Sequence, residues 1–379
     1  MSSPRNRTHS PSDLPTDFKP DWAKAPGAVI LAELKARGLT QAEFALRTSL
    51  SAKHINQLVM GTATLSPDVA VALERTLDMP VEFWLKTEAM WRSRLAQVDS
   101  RARLNEYAGW FARFPKSVLL EKNVVSREDP NEVMVEKLLR FFGVTDIAAF
   151  EKVWLRPQAS FKRSQHFEID PFMTALWIRL AERAAEERVS EVAAFDPRRL
   201  RAILPRIPSI TRQSMPSAFV AARELLETAG VLLVYVSEIA DTRICGASRW
   251  LSTGHPVVAL TNRNKRVDGF WFYLAHELGH ITLHPGRATF IDQHDKSVND
   301  DKDEQESAAD EFAQNLFISP EQRHLLDHAT VYDLERLADE WDVSVSIVAG
   351  QFAHRHKKWS AVSKLRPTVG LDALLSGVS

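Results

Sequence analysis

A chain of 379 residues, 45% hydrophobic and 26% charged, has material for two or three domains with sizeable buried cores. Its net charge of −1 excludes a whole-chain electrostatic affinity for nucleic acid or membrane surfaces, so any such contact must come from a local patch. No apolar run approaches the ~20 residues that span a bilayer, none marks a signal peptide, and the single cysteine excludes an intrachain disulfide; a reducing, cytoplasmic setting is expected.

Residues 1–20 are polar, proline-rich and without periodicity, and read as a flexible tail. Short helices are expected from Asp21 to about Arg94, with a helix-turn-helix between Gly27 and Met60. Ala28 to Arg37 predicts its first helix, which Gly38 ends. Thr40 and Glu43 have the spacing of a capping box, placing Phe44 and Ala45 inward. Ser51 is the expected N-cap of the next helix, closed by Gly61. There Ile55, Leu58 and Val59 point to the core. Ser51, Ala52, Lys53, Asn56 and Gln57 are left for base edges and phosphates in a major groove. The backbone N–H at Gln41 is placed to hold a phosphate. Ser66-Pro67 starts a fourth helix, with Pro67 in its first turn. Positive charge is thin here: Gly27 to Gly61 holds Lys35, Arg37, Arg47 and Lys53 against Glu33 and Glu43.

From Gly27-Ala28-Val29-Ile30-Leu31 through Phe83-Trp84-Leu85 the sequence resembles the HigA-like antitoxins within the lambda-repressor-like (XRE) family, over roughly Pro26 to Arg94. The resemblance implies binding to a double-stranded DNA operator, often as a homodimer, and repression of the protein's own operon. The residues themselves also allow a helical protein-interaction module.

Asn105 to about Thr228 reads as helical, with Trp177, Leu180 and Ala184 at helical spacing and Pro205, Pro208 and Pro216 breaking its last part. Its aromatic stripes are expected to be core. Three strands follow: Val231 to Val236, Ile244 to Leu251, and Pro256 to Leu260. Cys245, in the second, reads as a small buried hydrophobe. Helices are expected at Val267 to His284 and Glu304 to Phe317, then in pieces to the C-terminus.

The first of these helices carries His276-Glu277-Leu278-Gly279-His280 and is stopped by Pro285-Gly286. Histidines four apart share a helical face and can reach one metal. Glu277, rotated about 100° from His276, sits beside the open coordination position, where it can take a proton from a water. A catalytic zinc needs a third protein ligand. Glu306 and Asp310 share a face of the following helix; Glu306 can complete a His2Glu site, and Asp310 can orient a ligand imidazole. The competing ligand, His284, lies about 12 Å along the helix from His276, too far for one ion, and reads as a local polar residue.

The stretches His276 to His284 (HELGHITLH) and Glu306 to Pro320 (ESAADEFAQNLFISP) resemble the ImmA/IrrE family of bacterial zinc metallopeptidases, over roughly Leu225 to Phe352. The resemblance implies a small zincin fold, one Zn2+ per chain and cleavage of transcriptional repressors. It places His276, His280 and Glu306 as ligands and Glu277 as the base. The acidic stretch 292–306 has no functional reading beyond solvation.

The expected architecture is a mostly α, multidomain protein: an all-α lambda-repressor-like helix-turn-helix at 21–95, a helical connector at 96–228, an α+β zincin-like peptidase domain at 229–360 and a C-terminal tail at 361–379. The expected function is a DNA-binding transcriptional regulator with zinc-dependent endopeptidase activity towards a repressor or other partner protein, without a membrane partner. The alternative is an antitoxin or repressor with a cognate toxin, whose metal domain is a sensor or structural element.

Overall fold

The computed structural model describes residues 24–155, 170–240, 242–261, 263, 265–284, 290–293 and 304–369. The expected tail at 1–20, positions 294–303 of the acidic stretch and the last ten residues lie outside them. The chain divides into two compact units, Met1–Ala108 and Gly109–Ser379. Among the described residues no helix is long and apolar enough to cross a membrane.

The first unit is all helical: α1 (Pro26–Ala36), α2 (Gln41–Thr48), α3 (Ala52–Val59), α4 (Pro67–Leu77) and α5 (Val81–Glu106). Side-chain caps set its borders. Thr40 accepts from the Glu43 amide at 3.2 Å while the Glu43 carboxylate accepts from the Thr40 amide at 2.8 Å. Ser51 and Ser66 accept from the His54 and Val69 amides, and Pro67 follows in the first turn of α4. Ile30, Phe44, Ile55, Leu73, Leu77 and Trp84 form the fully buried centre. Arg37 closes the base by donating to the Leu77 and Thr76 carbonyls at 2.6 and 3.1 Å. In place of a short final helix, α5 runs unbroken through position 95 for 26 residues.

One glycine sets how closely α1 meets α3. A Cβ added at Gly27 would stand 2.2 Å from the Val59 carbonyl oxygen and 2.6 Å from that of Leu58, both backbone atoms that cannot swing aside. Gly27→Ala should therefore cost at least ~2–3 kcal/mol in this unit. Gly109→Ala, at the start of the second unit, where an added methyl would meet nothing within 4 Å, is the control for the glycine replacement itself. Denaturant melts of both variants check this; an unchanged midpoint for Gly27→Ala would refute the close approach.

In the second unit, Trp110, Phe114, Phe142, Phe150 and Trp154 build an aromatic core, with Phe142 and Phe150 edge-on at 4.8 Å. Phe172 joins it from α6 (Pro171–Glu186), which Asp170 caps. α7 (Pro197–Ile203) and α8 (Met215–Glu227) follow, then a four-stranded sheet: β1 (Leu232–Tyr235), β2 (Ile244–Trp250), β3 (Pro256–Leu260) and β4 (Phe290–Gln293). The strand order is β1-β3-β2-β4, parallel between β1 and β3 and antiparallel elsewhere. The three strands read from the sequence are present; β4 is additional.

All of β3 is buried, so both sheet faces are covered. Leu233, Val258 and Leu260 share a core with Trp271, Leu274 and Leu278 of α9 (Val267–Leu283). The alternate set, Leu232, Val234, Val257 and Ala259, lies under α6. α6 is also tied to β2 through Glu182, 2.5 Å from Arg249, while Arg179 bridges Glu182 and Glu186. Trp177 on α6 is fully buried; Leu180 and Ala184 lie at the edge of its packed face.

The core around α9 extends well beyond the sheet. Leu200, Ile203, Phe219, Ala222, Leu225 and Leu226 from α7 and α8 belong to it, so a border at 228 runs through one core. α10 (Glu304–Phe317) packs along α9, and α11 (Val345–His356) crosses its N-terminal half. The segment after α11 also packs: Val362 is fully buried, Arg366 pairs with Asp268 at 2.7 Å, and the Val267 and Val369 amides donate to the Pro367 and Lys265 carbonyls.

Candidate metal centre and helix-turn-helix

α9 places His276, Glu277 and His280 in the interior, at 2%, 0% and 1% exposure. Burying three polar side chains on one helix is costly unless each serves an interaction. α10 supplies part of the answer. Its approach is permitted by Gly279, where a Cβ would stand 3.2 Å from both Ala309 Cα and Phe312 Cδ1. At that separation Glu306 Oε2 lies 3.2 Å from His276 Nε2, and Glu306 Oε1 lies 3.6 Å from His280 Nε2.

The two Nε2 atoms are 3.0 Å apart, and the three donor atoms lie within 4.8 Å of one another. Two zinc–nitrogen bonds at a tetrahedral angle would hold nitrogens roughly 3.4 Å apart, so the spacing fits a small divalent cation. Asp310 Oδ1 stands 3.1 Å from His276 Nδ1. With the ring proton on Nδ1 donated to that carboxylate, the Nε2 lone pair points at Glu306 and His280.

The electrostatics suit a cation. Burial, followed by the neighbouring His276, pushes His280 down to about 4, so its imidazole is neutral at neutral pH, the form that binds metal. Burial works against ionisation of Glu306, but the hydrogen bond with His276, helped by the imidazoles beside it, outweighs it and holds the carboxyl below its ordinary range. The set is two imidazole nitrogens and one carboxylate oxygen, donors of the kinds a catalytic zinc takes.

Glu277 faces the sheet. A Cβ at Gly246 of β2 would come within 3.0 Å of Glu277 Oε1 and 3.2 Å of its Cγ, so the missing side chain at 246 makes the space for this carboxylate. Gly246 and Gly279 carry no local sequence signal for these roles, because each depends on an element far away in the chain. His284 lies outside the donor group, its Nε2 3.4 Å from the Gln305 carbonyl oxygen. Cys245 is buried, 3% exposed.

In the first unit, Ser51, Ala52, Lys53 and Asn56 are exposed on α3, opposite the buried Ile55 and Leu58, and Gln57 is half-buried beside them. Gln41 is half-buried in the first turn of α2. The same unit also exposes apolar groups that the pattern of polar residues did not flag: Leu46 on α2 at 83% and Met60 after α3 at 70%.

Compared with known families, residues 234–352 match the model of the IrrE N-terminal-like domain and residues 30–84 match the helix-turn-helix model. The comparison with curated proteins finds no match.

Proposed function

The chain joins an XRE-type helix-turn-helix to an IrrE/ImmA-like peptidase-family domain, and from that premise we propose that it is a DNA-binding regulator that cleaves a partner protein, itself a transcriptional repressor, with the help of zinc. The observation that carries the peptidase half is the convergence of His276, His280 and Glu306, with the Glu277 carboxylate on the same buried helix. Among the described residues three protein donors converge, a number that suits a catalytic site with a position for water and substrate rather than a four-ligand structural site.

In this reading His276, His280 and Glu306 hold the zinc, and Asp310 fixes the His276 ring. When bound, zinc polarises a scissile carbonyl and acidifies a water. Glu277 accepts the proton of the attacking water and passes it to the departing amine as the C–N bond breaks. Gly246 gives that carboxylate its place against β2. α3, with Ser51, Ala52, Lys53, Asn56 and Gln57, and the N-terminus of α2 at Gln41 bring the chain to its operator.

The direct test is incubation of the zinc-loaded protein with candidate repressors, reading for specific fragments. Cleavage should stop on chelation and return when zinc is restored. A protein that holds one zinc and binds its operator yet cuts no candidate would favour the other function, a repressor or antitoxin whose metal domain senses or stabilises.

A further inference from the structure

We infer that the turn after α11 is a second, sequence-independent contact for duplex DNA, formed by Lys357, Lys358 and Lys364 around Trp359. It lies beyond the end of the family match at residue 352. From His354 to Val369 the chain has five lysines and arginines and no acidic residue, in a protein whose overall charge is −1. Two of the five are neutralised from elsewhere: Arg355 by Asp327 and Arg366 by Asp268. Lys357, Lys358 and Lys364 are exposed and make no ion pair among the described residues.

The charges stand on a well-held scaffold. Lys357 ends α11 in the left-handed conformation, at φ 55°, and the Lys357 and Lys358 amides both donate to the Ala353 carbonyl. Buried Val362 pins the turn from below, and the short helical turn Ser363–Leu365 packs against α11. Lysines at a helix C-terminus complement its dipole, which is a local reason for Lys357 and Lys358. It does not extend to Lys364, nor to the Trp359 indole, 43% exposed with the Arg366 guanidinium 4.5 Å from its ring. A basic patch with no paired carboxylate among the described residues is the surface chemistry of contact with duplex phosphates.

Duplex DNA is the anion this chain is already built to meet, so the choice of polymer rests on the proposed role of the helix-turn-helix. Of the four cations that Gly27 to Gly61 holds, Arg37 is occupied by Glu33 and two carbonyls, which leaves Lys35, Arg47 and Lys53 for phosphates. Phosphate contacts from the second unit would add affinity without adding sequence preference.

The test uses the full chain and a fluorescent random-sequence duplex, with affinity measured across a salt series. The triple variant Lys357→Gln, Lys358→Gln, Lys364→Gln should bind at least ~10-fold more weakly at low salt and lower the salt slope by about 2 to 3, near 0.9 per lost phosphate contact. Lys358→Gln alone, which cannot plausibly unfold the domain, should lower the slope by about 1. A parallel Lys53→Ala, Gln57→Ala variant, assayed on the selected operator, separates the two DNA surfaces. If the lysine variants keep wild-type affinity and slope, the second contact is refuted, whatever the α3 variant does. If only the α3 variant is unaffected, the groove placement of α3 fails and the second contact stands. Binding of wild type to polyglutamate as tightly as to DNA at equal salt would replace DNA with an acidic protein partner and overturn the inference.

Discussion

Glu277→Gln is expected to keep zinc, fold and DNA binding while cutting cleavage of the partner protein by at least ~10²-fold, the lower end of what a general base supplies. The substitution retains size and polarity in a position with no exposure, tightly backed by Gly246, so repacking is minimal. What it removes is an anion able to accept a proton. Glu277 is absent from the converging donor group, so zinc content should match wild type in the dialysed proteins. The measurement is cleavage by zinc-matched wild type and variant. Equal rates would take Glu277 out of the mechanism, and an emptied site would make it a ligand instead.

Glu306→Ala should empty the site, whereas His284→Ala should leave stoichiometry near one. The contrast rests on geometry: Glu306 oxygens stand 3.2 and 3.6 Å from the two Nε2 atoms, while His284 turns towards the Gln305 carbonyl. Removing the carboxylate leaves two neutral imidazoles, a set too poor in charge and number to hold a divalent cation against dialysis. Asp310→Ala is intermediate; freeing the His276 ring should weaken metal binding ~10–100-fold. Metal analysis after dialysis ranks the three variants. Retained metal in Glu306→Ala together with its loss in His284→Ala would invert the assignment.

Signals that operate within a few residues were legible in the sequence. N-caps declare themselves over four positions, as a capping box at Thr40 and as single serine caps at Ser51 and Ser66, which is why α2, α3 and α4 start where they do. The i, i+4 spacing of His276 and His280 requires a shared face in any helix. The apolar runs of β1 and β3 leave little alternative to buried strands. Features settled by distant partners were not legible. β4 exists through antiparallel pairing with β2; its four residues, of which Phe290 and Ile291 alone favour a strand, are too short a run to declare one. The unbroken length of α5 was hidden because its later turns are too polar to show a strong apolar stripe. The spaces at Gly246 and Gly279 became visible only once the sheet and α10 were packed against α9.

The shared core around α9 also bears on how such a chain can be inherited. The matched stretch 234–352 looks like a portable cassette, yet Leu200, Phe219 and Leu226 before it and Val362 after it are buried in the same interior. A recombination event that moved the cassette alone would strip α9 of α7 and α8 on one side and of the Asp268–Arg366 pair on the other. Exposing that much apolar surface would cost more than the few kcal/mol by which a domain is stable. Because α6 covers the other face of the same sheet, crossovers between relatives should survive upstream of about residue 109 or downstream of about 369, and a chimaera library scored for soluble expression would map those permitted junctions.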